Sequence, residues 1–143
     1  MSKPLAVSSQ LLQQIEQHAI SSYPNECCGL LIGHSTAEFD HVLDLMLGTN
    51  QRTDSAHNRF LIDPRDYLQA ERRAAKLGQG VVGVYHSHPD HPARPSDYDQ
   101  AQALPNMAYL ILSVVNGKIV DHRSFRLRDD RLAFDEQLVI VGT

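Results

Sequence analysis

The chain has 143 residues, of which 42% are hydrophobic and 21% are charged, and its formal net charge is −4. This length fits one domain over residues 1–143 with a core of its own. The acidic balance and the lack of a strong basic cluster argue against nucleic-acid binding. The N-terminal residues lack the apolar core of a signal peptide, and no apolar stretch is long enough to span a membrane. We therefore expect a cytoplasmic protein without membrane contact.

The first predicted elements are a helix and two strands. Ser8 or Ser9 is a typical N-cap at which the helix begins. The apolar stripe of this helix has helical spacing and comprises Leu12, Ile15 and Ala19. Apolar runs over residues 27–33 and 42–47 predict strands. The first of these strands opens with the two adjacent cysteines of the chain, which point to opposite faces and are expected to be buried free thiols.

The remaining predicted elements are a helix, a strand, a short helix and three further strands. Asp63-Pro64 has the pattern of an N-cap followed by the first helical residue, and Gly78 is the expected end of that helix. Asn116-Gly117 lies between two apolar runs and predicts a hairpin turn. Strands are predicted at residues 81–85, 109–115, 118–125 and 138–141. This order predicts an α/β domain with a mixed, curved sheet flanked by helices.

One segment carries the main chemical signal of the sequence. His86 and His88 lie two residues apart at the end of a predicted strand, so their imidazoles share one face and Ser87 points to the other. A proline-rich loop follows, and Ser96 then caps a short helix whose first turn contains Asp99. Two imidazoles and one carboxylate suit Zn²⁺ and leave one tetrahedral position open for water. We therefore predict a catalytic metal site.

Each part of this pattern also has an ordinary structural interpretation. Ser96-x-x-Asp99 resembles a capping box with Asp in place of Glu or Gln. His-x-His alone is a weak signal in a chain with 8 histidines. The complete pattern, placed on a strand end, a loop and a helix start, favours the metal site.

Glu26 is the candidate proton carrier for such a site. It lies where a turn-like Pro-Asn segment meets the strand predicted at residues 27–33. A carboxylate that does not bind the metal, but hydrogen-bonds its water, is the usual general base of zinc hydrolases. Without the histidine motif, Glu26 would be interpreted as a solvated loop residue.

Two motifs together resemble a known family. Pro-x-Glu-x-Cys-Gly-x-x-x-Gly over residues 24–33, with His-Ser-His-Pro and Pro-Ser-x-x-Asp over residues 86–99, is similar to the JAMM, or MPN-plus, zinc metallopeptidases. Residues 58–64 and 108–113 look like the short bacterial members. The resemblance implies a single MPN-type α/β domain whose fold is similar to that of the cytidine deaminases.

The resemblance also implies roles for particular residues. His86, His88 and Asp99 match the zinc ligands of the family. Glu26 matches its catalytic acid/base, and Ser96 matches the serine that helps to stabilise the oxyanion. Ser96 therefore has two candidate roles, helix capping and oxyanion binding.

The substrate expectation depends on the resemblance. Family members cut after the C-terminal Gly-Gly of ubiquitin or ubiquitin-like proteins, and the short bacterial members are similar to enzymes that trim small sulfur-carrier proteins. We therefore expect zinc-dependent hydrolysis of a peptide or isopeptide bond after the Gly-Gly of such a protein partner. One alternative is a non-catalytic binding module with the same fold. Another is a zinc hydrolase of a small molecule, although the chain has neither the His-x-Glu nor the Pro-Cys-x-x-Cys that zinc deaminases need.

Overall fold

The computed structural model describes residues 2–48 and 62–142. The described residues form seven strands and three helices: β1 (Ser2–Ser8), α1 (Ser9–Ser22), β2 (Cys28–Ser35), β3 (Asp40–Leu47), α2 (Pro64–Lys76), β4 (Gly80–Pro89), α3 (Asp97–Gln102), β5 (Ala108–Val115), β6 (Lys118–Leu127) and β7 (Phe134–Gly142). Among these helices, none has the length and apolar character needed to cross a membrane. The order of the predicted helices and strands is confirmed, and β1 is an additional strand.

The strands form one mixed sheet that closes on itself in the order β1-β3-β2-β4-β5-β6-β7. Closure depends on β1, which pairs in parallel with both β3 and β7. The sequence did not predict β1, because this segment contains Pro4 and only three consecutive apolar residues. The predicted mixed sheet with flanking helices is confirmed, and the structure shows in addition that the sheet is closed and barrel-like. The expected likeness to the cytidine deaminases is not confirmed.

Side-chain caps fix the ends of the two longer helices. The Ser8 hydroxyl accepts a hydrogen bond from the Leu11 N–H at the start of α1. The Asp63 carboxylate accepts one from the Arg65 N–H at the start of α2. Gly78 follows α2 with a φ of +67°, a conformation that glycine adopts without strain. The predicted stripe of α1 is buried and packs on the strands; its members are Leu12, Ile15 and Ala19.

Strands β2 and β4 form the scaffold beneath the metal-site motif. β4 is longer than predicted and includes both motif histidines. It pairs antiparallel with β2, so that Cys28 lies opposite His86 and Gly29 lies opposite Tyr85. The Tyr85 ring covers Gly29 so closely that a Cβ there would overlap it. Tyr85 is fully buried, and its hydroxyl lies 2.7 Å from Nδ1 of His18 on α1.

Candidate metal centre

The structure brings His86, His88 and Asp99 together. The two Nε2 atoms lie 3.2 Å apart, and Asp99 Oδ2 lies 3.2 Å from His86 Nε2 and 3.0 Å from His88 Nε2. The exposed fractions of His86, His88 and Asp99 are 1%, 7% and 8%. Zinc bonds of about 2.0–2.2 Å in a tetrahedral arrangement place neighbouring ligand atoms roughly 3.3 Å apart. The three atoms therefore fit an ion of that size after only a small adjustment.

The loop after β4 orients His88 toward this cluster. Nδ1 of His88 lies 2.8 Å from the carbonyl oxygen of Pro92. A carbonyl can only accept, so Nδ1–H donates to it and Nε2 faces Asp99. Backbone acceptors of this kind commonly fix the tautomer of a metal-binding histidine.

The start of α3 orients Asp99. The Ser96 hydroxyl accepts a hydrogen bond from the Asp99 N–H at 3.0 Å, and the Ser96 N–H donates to Asp99 Oδ2 at 2.9 Å. These two bonds form a complete capping box, which confirms the capping role predicted for Ser96. A hydroxyl that accepts one hydrogen bond can still donate one. Capping and oxyanion binding are therefore compatible.

Burial and mutual contact set the charges of the three clustered residues. Burial lowers the pKa of His86, although the neighbouring Asp99 acts in the opposite direction. Burial also acts to lower the pKa of His88, but hydrogen bonds to Asp99 and Pro92 outweigh it and the pKa is raised. Burial acts to raise the pKa of Asp99, but His86 and His88 hold it well below its usual range. Asp99 is therefore ionised and His86 neutral, the states in which these side chains bind a metal.

Glu26 lies beside the two histidines. One of its carboxylate oxygens and one ring nitrogen each of His86 and His88 all lie within 4.8 Å of one another. The interpretation of Glu26 as a solvated loop residue is wrong, because its exposed fraction is only 4%. Burial raises its pKa to about 8; a charged His88 opposes this shift and Asp99 adds to it. A carboxyl group that titrates near neutrality can both accept and return a proton.

The residues beside the histidines face other parts of the fold. Ser87 is fully buried, and its hydroxyl accepts a hydrogen bond from the Cys27 N–H at 2.8 Å, on the face predicted for it. Cys27 and Cys28 are buried free thiols, as expected. Burial raises their pKa values to about 11 and about 12, so both are protonated at neutral pH. Neither thiol belongs to the group of potential ligands found among the described residues.

Two cavities with different linings flank the cluster. A cavity of about 440 Å³ adjoins Glu26 and His88; its wall also includes His91, Arg94, Ser96 and Asp97. A second cavity, of about 180 Å³, adjoins His86 and Asp99; its apolar wall includes Val84, Leu104, Met107 and Tyr109. The sequence did not single out these apolar residues, because they have the spacing of ordinary core residues. Residues 58–61, part of a segment similar to short bacterial members, lie outside the described residues.

A closed mixed sheet with this cluster on β4 and α3 defines a JAB/MPN-type domain. Residues 8–128 match the Prok-JAB family, described as prokaryotic homologs of the JAB domain. The chain belongs to this family, which confirms the resemblance noted in the sequence.

Three named relatives indicate what similar proteins do. A probable TtuB-protein conjugate cleaving protease of Thermus thermophilus is 31% identical over 107 residues, which cover 75% of this chain and 68% of that protein. A desampylase of Haloferax volcanii is 28% identical over 113 residues, or 78% of each chain. Tail tip assembly protein K of Escherichia phage N15 is 32% identical over 91 residues. That match covers 64% of this chain but only 33% of the phage protein.

Solved structures match nearly the whole chain. A protein from Desulfitobacterium hafniense has a TM-score of 0.84 and 32% identity, with 96% of this chain and 92% of that chain covered. A protein from Salinibacter ruber has a TM-score of 0.74 and 37% identity, with 96% and 91% covered. A JAB1/MPN domain protein from Archaeoglobus fulgidus has a TM-score of 0.60 and 21% identity, with 96% and 99% covered. The last likeness confirms the JAB/MPN fold.

Proposed function

We propose that this protein is a zinc-dependent hydrolase that cleaves the peptide or isopeptide bond after the C-terminal Gly-Gly of a ubiquitin-like or sulfur-carrier protein. The main support is the buried triangle of His86 Nε2, His88 Nε2 and Asp99 Oδ2, with edges of 3.0–3.2 Å, beside the buried carboxyl of Glu26. The relatives named as a conjugate cleaving protease and a desampylase support the class of substrate.

The proposed chemistry divides among five residues. Zn²⁺ held by His86, His88 and Asp99 would polarise the substrate carbonyl and lower the pKa of a bound water to about 7. Glu26 accepts a proton from the attacking water and returns one to the leaving amine, a role typically worth about 10²–10⁴-fold. The Ser96 hydroxyl donates a hydrogen bond to the developing oxyanion, and the loss of such a donor costs about 10²–10³-fold.

The two cavities support one direction of substrate binding. The leaving amine takes its proton from Glu26, which lines the cavity beside His88 and not the one beside His86 and Asp99. In this proposal the amine side of the scissile bond therefore lies in the cavity beside His88. The chain that precedes the bond crosses the apolar cavity beside His86 and Asp99, where Met107 and Tyr109 would contact it.

The deciding experiment measures bound metal and cleavage in the same preparations. Wild type, Asp99→Ala and a control substitution of the exposed Asp129, Asp129→Ala, are supplied with zinc and analysed for metal content. Each of the three proteins is then incubated with a carrier protein that bears a C-terminal extension after Gly-Gly, and the masses of the products are determined by mass spectrometry. We expect about one zinc per chain and cleavage after Gly-Gly in wild type and control, and neither in Asp99→Ala.

Two outcomes would contradict the proposal in different ways. A zinc-loaded wild type that cuts neither extended carriers nor lysine conjugates would contradict the substrate class. A wild type that binds no stoichiometric metal would contradict the mechanism and favour the non-catalytic binding module.

A further inference from the structure

Two hydrogen-bonded junctions connect the segment that carries Glu26 to the segment that carries His88. We propose that Tyr23 and Asp90, which form the outer junction, are positioning residues that fix the carboxyl of Glu26 relative to His88. The expected effect on kcat rests on the proposed function, whereas the expected effect on the position of the Glu26 segment does not.

The outer junction is a hydrogen bond between two polar side chains at the protein surface. The Tyr23 hydroxyl donates to the Asp90 carboxylate and lies 2.7 Å from Oδ2 and 2.9 Å from Oδ1. Tyr23 is the C-cap of α1 and stands three residues before Glu26. Asp90 stands two residues after His88. The bond therefore joins the approach to Glu26 with the loop that leaves β4.

Asp90 is held in place by the hairpin between β5 and β6. Its N–H donates to the Val114 carbonyl oxygen at 2.6 Å, and its Oδ1 accepts from the Asn116 N–H at 3.2 Å. Its φ of +59° lies in the left-handed region, which Asp and Asn tolerate better than most residues. Tyr23 therefore binds a carboxylate whose position is fixed by the Val114 and Asn116 hydrogen bonds and by the backbone conformation of Asp90.

The inner junction is buried. The Cys27 N–H donates to the Ser87 hydroxyl at 2.8 Å, and the Ser87 N–H donates to the Cys27 carbonyl oxygen at 3.1 Å. Glu26 lies between Tyr23 and Cys27 on one segment, and His88 lies between Ser87 and Asp90 on the other. The two functional side chains are therefore enclosed by the two junctions, and their polar atoms lie within 4.8 Å of each other.

The two junctions differ in what their loss would change. The inner one consists of one buried backbone bond and one buried bond from a backbone N–H to the Ser87 hydroxyl, which the fold needs. The outer one is exposed to solvent, so water replaces it easily and its loss changes global stability little. Without it, the Glu26 segment loses its link to the loop after β4 while its bonds to α1 and Ser87 remain, so its position beside His88 is fixed less tightly. A displacement of about 1 Å can reduce a catalytic rate by about 10²-fold.

The test uses Tyr23→Phe, which removes only the hydroxyl. In zinc-loaded protein we expect kcat to fall about tenfold, with KM within twofold of wild type and zinc content and Tm unchanged. In metal-free protein we expect faster amide hydrogen exchange in the peptide over residues 23–28 and unchanged exchange elsewhere. The second measurement does not depend on any activity.

Three further variants make the test specific. Asp90→Asn keeps one acceptor oxygen and suits the positive φ, so it should keep most of kcat. The double variant Tyr23→Phe/Asp90→Asn should be no slower than Tyr23→Phe alone, because the two residues act through one bond. Asp135→Asn removes a carboxylate that binds Arg128, at the end of β6 opposite the hairpin, and should change neither kcat nor exchange at residues 23–28.

The inference is overturned if Tyr23→Phe keeps kcat within twofold and leaves exchange at residues 23–28 unchanged. It is also overturned if Tm falls and exchange rises throughout the protein, since that would show a general structural role. Local exchange that rises as expected, in a protein whose wild type cleaves no substrate, would support the junction and contradict the proposed function.

Discussion

Two buried polar clusters in the described part of the chain are organised in opposite ways. The metal-site cluster is His86, His88 and Asp99, which come from one short stretch and whose polar atoms face one another. The Asp40 cluster is centred on a fully buried carboxylate whose oxygens accept bonds from Arg126, Gln137 and Ser35. Ser35 on β2 lies five residues before Asp40, whereas Arg126 on β6 and Gln137 on β7 lie 86 and 97 residues after it.

The Asp40 cluster supports closure of the sheet. Arg126 Nη1 lies 2.6 Å from Asp40 Oδ2, and Ser35 Oγ lies 2.7 Å from Oδ1. Asp40 begins the short parallel contact between β3 and β1, which has only two residue pairs, Leu5 with Asp40 and Ala6 with His41. Because every partner of Asp40 is a donor, this cluster is electrostatically complete without a ligand.

The metal-site cluster is complete only with a shared cation or proton. Two imidazole nitrogens and a carboxylate oxygen about 3 Å apart repel one another through their lone pairs unless a positive charge lies between them. Buried charge with matched donors holds a fold together, whereas buried acceptors that converge on one point indicate a binding site. The following substitutions test this contrast, from the largest expected effect to the smallest.

Glu26→Gln should separate metal binding from turnover. The amide cannot accept the proton of the attacking water, so kcat should fall by about 10²–10⁴-fold while zinc content stays at the wild-type level. The exposed Glu38 supplies the control Glu38→Gln, which should be fully active. Both rates are measured on one extended carrier substrate. Turnover of Glu26→Gln at the wild-type rate would show that another group moves the proton.

Ser96→Ala should affect both stability and rate. Loss of the cap should cost about 1 kcal/mol of unfolding free energy, and loss of the oxyanion donor should lower kcat by about 10²–10³-fold. Ser8→Ala is the matched control, because Ser8 caps α1 through the same kind of bond. It should lose similar stability and keep its kcat. If Ser96→Ala also kept kcat, capping would be the only role of Ser96.

Asp40→Ala should lower stability but leave zinc content and kcat unchanged, whereas Glu26→Gln should lower kcat. Removal of one partner from a buried ion pair typically costs about 3–5 kcal/mol, because Arg126 would be left without its carboxylate. We expect denaturant unfolding to show this loss, with zinc content and kcat per folded molecule retained. A loss of unfolding free energy below about 1 kcal/mol, or a loss of zinc in the folded variant, would show that the Asp40 cluster does not act mainly on stability while the metal-site cluster acts on function.

Lys3→Met should have the smallest effect. The Lys3 ammonium lies 3.7 Å from Asp40 Oδ1 at the edge of the Asp40 cluster, and its side chain is 23% exposed. Pairs of this kind contribute about 0–1 kcal/mol. Unfolding in urea at low and high salt should therefore show only a small, salt-sensitive change. A change as large as that of Asp40→Ala would mean that the edge and the centre of the cluster act as one unit.

The metal-site cluster could be predicted from the sequence because its geometry is local. The period of a strand puts His86 and His88 on one face, and a capped first turn presents Asp99. The Asp40 cluster had no such signal, since Asp40 is 86 residues from Arg126 and 97 from Gln137. Single Asp, Arg and Gln residues at such distances look like ordinary surface residues until the strand pairing is known.

The same limit explains what was missed in the fold. The helices were predicted because caps and apolar stripes are encoded within a few residues of each other. β1 was missed because its strand character comes from two partners, β3 and β7, that are distant in sequence. The apolar cavity was missed for a related reason: Val84, Met107 and Tyr109 meet beside His86 only once β4 and β5 are paired.

The contact between Gly29 and Tyr85 links the evolution of two positions. Any side chain at residue 29 would overlap the Tyr85 ring and separate β2 from β4 next to the pair formed by Cys28 and His86. A smaller residue at position 85 would leave space that a larger residue at position 29 could fill. In homologous sequences, a residue other than glycine at position 29 should therefore occur only with a smaller residue at position 85, although neither position takes part in the proposed chemistry.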